Sequence, residues 1–431
     1  MEARTPTLPA TELSTAEDQL LVTLERRASW EIPRAGSSAR RYGGGDYEVS
    51  SRTRRVVEEL GRRYGMRRID GWPIDVLDIH CVVFAVNPET DRDELMERLA
   101  RDPQVESVQP MNLFQVLGRS RDRGTEPAGF PEYDDPYLEL QHGIASMQIE
   151  EAHRLAQGRG VEVAVVDTGV DVSHPDLADR VLRAEDFVDD ATPFRQESHG
   201  TAVGGIIASV ADNGIGIVGV APDVRILALR ACWERPEGAL CNSFTLAKAL
   251  AFALGEDPDI LNLSLAGPSD PLLERLLRTA TEQGIVVVAA QEDDREPGTH
   301  RFPTMVESVL VVGAAESGTP AGEPNTTPGG AGLLAPGTDL ITTVPRGGYD
   351  FVTGSSFAAA EVTGIVALIL ERDPDLEAGD LLALLRDTSL ETEAPDGPIR
   401  MVNACAALAR LLQTDLCSRI PPPRKALSET E

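Results

Sequence analysis

Hydrophobic and polar positions change rhythm twice along this chain. In the first third the apolar residues fall at helical spacing, with Val56, Val57, Leu60 and Tyr64 on one face of a helix predicted over 52–64. The run CVVFAV at 81–86 predicts a strand. Asp91 and Glu94 have the spacing of a capping box, and Leu95, Met96 and Leu99 carry the apolar face of the helix behind it. VESVQP at 105–110 predicts a closing strand. Two helices interleaved with strands predict a small α+β unit of ferredoxin-like type. Beyond residue 135 the pattern becomes short, near-continuous apolar runs: VEVAVVD (161–167), DVRILAL (223–229), DILNLSL (259–265), GIVVVAA (284–290) and SVLVVGA (308–314). Helical stretches separate several of them, including TAVGGIIASVA (201–211) and DPLLERLLRTATEQ (270–283). Strands without alternation have no polar face, so this part is α/β: a parallel sheet flanked by helices on both sides.

Polar stretches divide the chain. Residues 1–45, rich in Ser, Pro, Gly and charge and ending in Gly43-Gly44-Gly45, read as a flexible N-terminal segment. The α+β unit spans 46–117. Residues 118–134 (GRSRDRGTEPAGFPEYD) are a linker with almost nothing to bury, the α/β domain spans 135–412, and 413–431 is a tail. No internal repeat is visible.

Charge sharpens this division. The 431 residues carry a net charge of -30, which argues against nucleic acid and anionic membrane surfaces as partners. Residues 1–130 hold 19 Arg and 22 acidic groups, so nearly all of the excess, -27, lies in the remainder. The Arg cluster at 52, 54, 55, 62, 63, 67 and 68 therefore reads as a solvated surface, or one complementary to the acidic part, rather than a nucleic-acid patch. No apolar run reaches the ~18 residues of a membrane span. The first residues lack a basic segment followed by an apolar one, so no secretory signal is read: either the protein stays inside the cell or the chain as given lacks its leader. The five cysteines, at 81, 232, 241, 405 and 417, contain no C-x-x-C pair. Cys232 and Cys241 bracket a Gly/Pro-containing segment and are either a disulfide or two free thiols. Cys405 and Cys417 would stand about 18 Å apart on one unbroken helix, and pair only if the helix ends between them. His80, His142, His153 and His300 have no ligand spacing, so no transition-metal site is predicted.

Three segments carry chemistry. Asp167 ends the first strand of the α/β part, His199 opens a helix in ESHGTAVGG, and Ser356 opens another in TGSSFAAAEVTG. In an open parallel sheet, sites gather at strand carboxyl ends and helix N-termini. A serine hydroxyl needs a base to become a nucleophile, imidazole titrates in the right range, and a buried carboxylate fixes its tautomer. His174, in SHPDL, reads as a loop-packing residue.

The order Asp167, His199, Ser356, with VVDTGVDVSHPDL, HGTAVGGIIA and GSSFAAAEVTG around them, resembles the subtilisin family of serine proteases over roughly 135–412. RRVVEELGRRYG through DPQVESVQP is similar to the family's inhibitory propeptide. The resemblance implies a serine endopeptidase made as a proenzyme, with Ser356 as nucleophile, His199 as base then acid, and Asp167 orienting His199. It implies protein or peptide substrates laid along Ser264, Leu265, Ala266 and Gly267, and the chain's own propeptide as a partner. No cofactor is required; many relatives bind calcium, for which no ligands are assignable here. A secreted or periplasmic location is suspected from the family and from the Cys232–Cys241 pair. The sequence departs from the family after GIVVVAA: Gln291-Glu292-Asp293 stands where Ala-Gly-Asn is usual, which places Asp293 at the position of the oxyanion-binding Asn, with Gln291 as an alternative amide and the Ser356 N–H as the other donor. Ala360 and Glu361 replace a frequent Pro and His, where effects on packing are expected. Arg301 falls near the S1 lining, either favouring acidic or small P1 residues or pointing to solvent.

Two other readings compete. One is a catalytically weak relative that binds peptides, because of Asp293. The other is an esterase of the α/β-hydrolase type, which would need G-x-S-x-G and another triad order.

Overall fold

A central strand of the N-terminal unit comes from the stretch expected to be flexible. The computed structural model describes residues 16, 18–25, 51–117, 119–121, 133–188, 197–235, 238–291, 302–315, 332–394 and 397–419. Within it, β1 (Gln19–Glu25), α1 (Ser51–Tyr64), β2 (Arg67–Ile74), β3 (Ile79–Ala85), α2 (Arg92–Ala100) and β4 (Ser107–Pro110) form a sheet in the order β2-β3-β1-β4. Every neighbouring pair is antiparallel. β1 corrects the reading of residues 1–45 as a flexible segment and of the unit as starting at 46. Its sequence QLLVTLE does not alternate because both faces are covered. Leu20, Val22 and Leu24 pack with Val57, Leu60, Leu95 and Leu99 beneath the helices. Leu21 faces the other way, in one apolar cluster with Ile74, Cys81 and Val83 and with residues of the larger domain. β2 was also missed; its polar, Arg-rich sequence lies at the sheet edge. Asp91 caps α2 by accepting from the Asp93 and Glu94 N–H groups, the N-cap half of the expected capping box.

β5 (Leu113–Val116) and β6 (Arg119–Arg121) follow. The larger domain contains α3 (His142–Ser146), α4 (Ile149–Ala152), β7 (Glu162–Asp167), β8 (Val181–Asp186), α5 (Ser198–Ala208), β9 (Arg225–Arg230), β10 (Cys232–Arg235), β11 (Gly238–Asn242), α6 (Ser243–Glu256), β12 (Ile260–Leu263), β13 (Leu265–Ala266), α7 (Pro271–Glu282), β14 (Val286–Ala290), β15 (Leu310–Ala315), β16 (Leu333–Pro336), β17 (Leu340–Val344), β18 (Gly348–Thr353), α8 (Ser355–Arg372), α9 (Ala378–Asp387), β19 (Leu390–Ala394), β20 (Gly397–Met401) and α10 (Ala404–Leu412). Seven strands form the expected parallel sheet, in the order β16-β15-β14-β12-β7-β9-β8. Successive residues of β7 divide between two cores: Val163 and Val165 join the side of α5 and α8, Ala164 and Val166 the side of α6 and α7. Helices on both faces leave no polar side, which is why these strands read as continuous apolar runs. The strand order reverses around β7, whose neighbours β9 and β12 lie on opposite sides. The carboxyl end of β7 is therefore a topological switch point, where a site is expected.

Both cysteine pairs are disulfides. Cys232 and Cys241 face each other across the β10–β11 hairpin, with Cα atoms 4.2 Å apart. Cys405 and Cys417 are joined because α10 stops at Leu412 and Gln413 turns the chain in the left-handed region. Cys81 is a buried thiol. Among the described residues, no helix is long and apolar enough to cross a membrane.

Candidate active site

Asp167 is the last residue of β7, and its side chain is buried. Its two carboxylate oxygens lie 2.9 and 3.0 Å from His199 Nδ1, and one also accepts the Thr168 N–H. His199 sits in the first turn of α5. Gly200 beside it permits this approach: a Cβ there would come 2.2 Å from the Gly169 carbonyl oxygen. Burial disfavours the imidazolium, but Asp167, the Leu117 carbonyl and Glu234 outweigh that effect, and His199 titrates above the ordinary histidine range.

Ser356 is in the first turn of α8, after Gly354 at φ 153°, a conformation that favours glycine. Ser356 is fully buried, and its Oγ donates to the Ser264 carbonyl at 2.9 Å. Ser264 Oγ lies 3.1 Å from both Asn262 Oδ1 and the Ser356 carbonyl, which share its one proton and tie β12 to α8.

The cleft between these residues is filled by the chain itself. β5 is the middle strand of an antiparallel set, paired with β11 on one side and β13 on the other. Val116 lies opposite Leu265, and Gln115 opposite Ala266. The Leu117 N–H donates to the Ser264 carbonyl at 3.2 Å, while its carbonyl oxygen lies 3.4 Å from His199 Nε2. The Phe114 ring packs edge-on against Phe302 with centroids 5.5 Å apart, and over Gly267, where a Cβ would strike the ring. β6 continues past this point, pairing with β18 just before Ser356.

The arrangement thus brings Asp167, His199, Ser356 and Ser264–Gly267 to one end of the sheet. The family model for the subtilase family matches residues 158–407. The chain belongs to the subtilase family. As a subtilase it is a serine-type endopeptidase with an α/β, subtilisin-like fold. It is 32% identical over 280 residues to the thermophilic serine proteinase of Bacillus sp. (strain AK1), covering 64% of this chain and 66% of that one. It is 30% identical over 259 residues to thermitase of Thermoactinomyces vulgaris, covering 59% of this chain and 91% of the other. Fervidolysin from Fervidobacterium pennivorans, a keratinolytic enzyme related to subtilisin, shares the fold, with a TM-score of 0.67 at 22% identity over 95% of this chain and 62% of that one.

Not every predicted residue of this subtilase joins the cluster. Gln291 follows β14 with its side-chain oxygen close to Gly313 of β15 and Gly332, and β15 flanks β14 on the side opposite β12. Asp293 and Arg301 lie outside the described residues. His174 has the structural place expected: its Nδ1 accepts the Asp176 N–H, so Nε2 donates to the Gly348 carbonyl. Three participants were missed. β11 is a wall of the cleft, Phe302 contacts the strand it holds, and Leu113–Leu117 occupies it. The alternating LFQVL immediately before the polar linker was the available signal for the last.

Among the described residues, no group of three or more His, Cys, Asp and Glu is placed to hold a metal ion. One buried carboxylate beside Asp176 nevertheless has an orphan atom. Asp135 is buried with one carboxylate oxygen unpartnered, and burial, helped by Asp176 and Asp134, pushes it up to about 6. Asp176, also buried, accepts from Asn213, Ile217 and Tyr349. Carboxylate oxygens are the type of ligand that calcium takes.

Proposed function

We propose that the subtilase is made as a proenzyme and cuts its own chain after Leu117, through an acyl-enzyme on Ser356. The observation that carries this reading is the position of Leu117, with its N–H on Ser264 and its carbonyl beside His199. Ser356 Oγ turns from the Ser264 carbonyl that it bonds at rest, attacks the Leu117 carbonyl carbon and passes its proton to His199 Nε2. Asp167 holds the imidazole tautomer and stabilises the imidazolium. The C–N bond to Gly118 breaks, His199 returns the proton to the departing amine, and the N-terminal part remains as an ester on Ser356. Water, deprotonated by His199, then releases it. The main-chain N–H of Ser356, at a helix N-terminus, serves as one oxyanion donor. Substrates in trans are extended peptides that replace β5 between β11 and β13. Asp135 and Asp176 would hold a calcium ion, which supplies charge neutralisation for two buried carboxylates and no chemistry.

N-terminal sequencing of the matured wild type should begin at Gly118, at the border of the 118–134 linker, and Ser356→Ala should remain full length and folded. A sole cut elsewhere, or processing by Ser356→Ala, would sink the reading. The weak-relative reading turns on Asp293. An ionised carboxylate near the oxyanion would repel it, whereas a protonated one donates as an amide does. Asp293→Asn should therefore raise turnover at neutral pH by up to about 10²–10³-fold, the scale of the loss when a subtilisin, a relative of this chain, is deprived of one oxyanion donor. An unchanged rate and pH profile would remove Asp293 from the oxyanion site.

A further inference from the structure

A general base acts only from the right place, and the place of His199 is set by the first turn of α5. The N–H groups of a helix's first turn have no partners inside the helix. The N-cap residue Glu197 does not satisfy them with its side chain. Its carboxylate is turned instead to Arg230 Nη2, at 2.7 Å, and to the Glu234 N–H, at 3.2 Å. The cap comes from another element. Glu234 Oε1 accepts the main-chain N–H of Ser198 at 2.5 Å and that of His199 at 2.8 Å. Glu234 stands on β10, in the hairpin closed by Cys232–Cys241, whose return strand β11 walls the cleft. Arg230, fully buried at the end of β9, also bonds the Thr168 carbonyl next to Asp167. The stretch 230–234 therefore spans from the Asp167 strand to the backbone of His199.

Among the described residues, the groups facing His199 are few. Asp167 approaches from β7 and Glu234 from β10, while Glu197, in its own helix, is paired with Arg230 from β9. α8 presents the uncharged Phe357 ring, 5.1 Å away between centroids, and the cleft strand presents the Leu117 carbonyl. We propose that Glu234 is a positioning residue for catalysis: by capping α5 at Ser198 and His199 it sets where the imidazole meets Ser356, and its charge stabilises the imidazolium. The proposal rests on the base role of His199 proposed above. The upward shift of His199 includes a contribution from Glu234, which agrees with this placement.

The test compares full-length wild type, Glu234→Ala, Glu234→Gln and Ser356→Ala in steady-state hydrolysis of a fluorogenic peptide across pH. Glu234→Ala should lower kcat on the order of tenfold, with KM changed by less than about twofold, because the base is misplaced while the cleft strands remain. Glu234→Gln keeps an acceptor oxygen and should recover most of that loss. Its acid limb of kcat/KM should move about 0.3–0.5 pH unit lower at low salt, and less at high salt. If Glu234→Ala does not fold, the acid-limb shift of Glu234→Gln still decides. A fall in kcat that Glu234→Gln fails to rescue, with an unmoved acid limb, would mark Glu234 as merely structural and overturn the proposal. So would wild-type behaviour in both variants. Wild-type protein without Ser356-dependent hydrolysis would overturn the triad reading first, and the proposal with it.

Discussion

Glu361 shows how much a single side chain can depend on its surroundings. It lies in α8 a little more than one turn beyond Ser356, fully buried, with one carboxylate oxygen lacking any partner. Burial alone pushes it up to about 8. The folded protein therefore keeps it protonated where the unfolded chain would ionise it. Below the ordinary carboxylate range both states are protonated and nothing is lost. From there up to about 8, stability should fall by about 1.4 kcal/mol per pH unit, and above that the loss is complete. Glu361→Met, similar in volume and apolar, should raise the melting temperature at about pH 8 and change it little near pH 4. An unchanged dependence of melting temperature on pH would refute this account. The same scale shows what the sequence permits. The proposed triad of Asp167, His199 and Ser356 could be picked out from flanking residues and order, because each box combines a polar side chain with the glycines that its backbone requires. The solitude of Glu361 could not, because the space around it is made by Gly143 and Leu340 from other elements.

At the scale of elements, the loop after α5 is held by carboxylates from the chain entering the domain. Asp134 accepts the Gly214 N–H and Asp135 the Asp212 N–H, while Asp176 accepts the Ile217 N–H. Of these, the buried carboxylates of Asp135 and Asp176 repel one another unless a cation or a proton joins them. If calcium occupies this pocket, chelation should lower the melting temperature of the mature protease, added calcium should restore it, and Asp135→Asn should abolish the response. A melting temperature indifferent to chelator and calcium would leave Asp135 neutralised by its own proton. Element types were legible wherever burial was one-sided or long: the helices over 52–64, 92–100 and 271–282 announced themselves by spacing or caps. β1 did not, since a short strand buried on both faces carries no period and its partners lie far along the chain. β11 escaped notice because it is defined by what it pairs with, the strand in the cleft.

On the scale of the whole molecule, the N-terminal unit and the protease domain share an apolar cluster and a polar hub. The hub is Asp270, buried at the start of α7. It accepts from Gln109 Nε2 at 2.7 Å, Asn112 Nδ2 at 3.1 Å, Ser243 Oγ at 2.6 Å and the Leu273 N–H at 3.1 Å. Arg275 pairs with Glu106 at 2.6 Å, and the Lys248 ammonium lies 4.6 Å from the centroid of the Trp72 ring. The surface of the protease domain is acidic as a whole, but these two contacts across the interface are cationic on its side. Hydrogen bonds to a charged, desolvated group contribute about 1.5–3 kcal/mol each. Asp270→Ala should therefore weaken retention of the cleaved N-terminal unit at least tenfold, seen as its loss from the protease on size exclusion and as earlier onset of activity. Co-elution equal to that of wild type would show that the apolar cluster alone holds the two together.

The sequence by itself determined the class of fold and the family and named the triad proposed here, because apolar period, chain order and glycine placement are local or nearly so. It also stated the condition for the Cys405–Cys417 pair, a helix that stops between them. Tertiary structure decided everything that depends on approach between distant segments. It placed Leu113–Leu117 as the middle strand of the cleft, and it delivered Glu234 to the backbone of His199. It took the 19–25 strand out of a stretch whose composition promised no structure. Each of these joins groups whose separation along the chain has no bearing on their separation in space, and only packing of the two cores brings them within hydrogen-bond range.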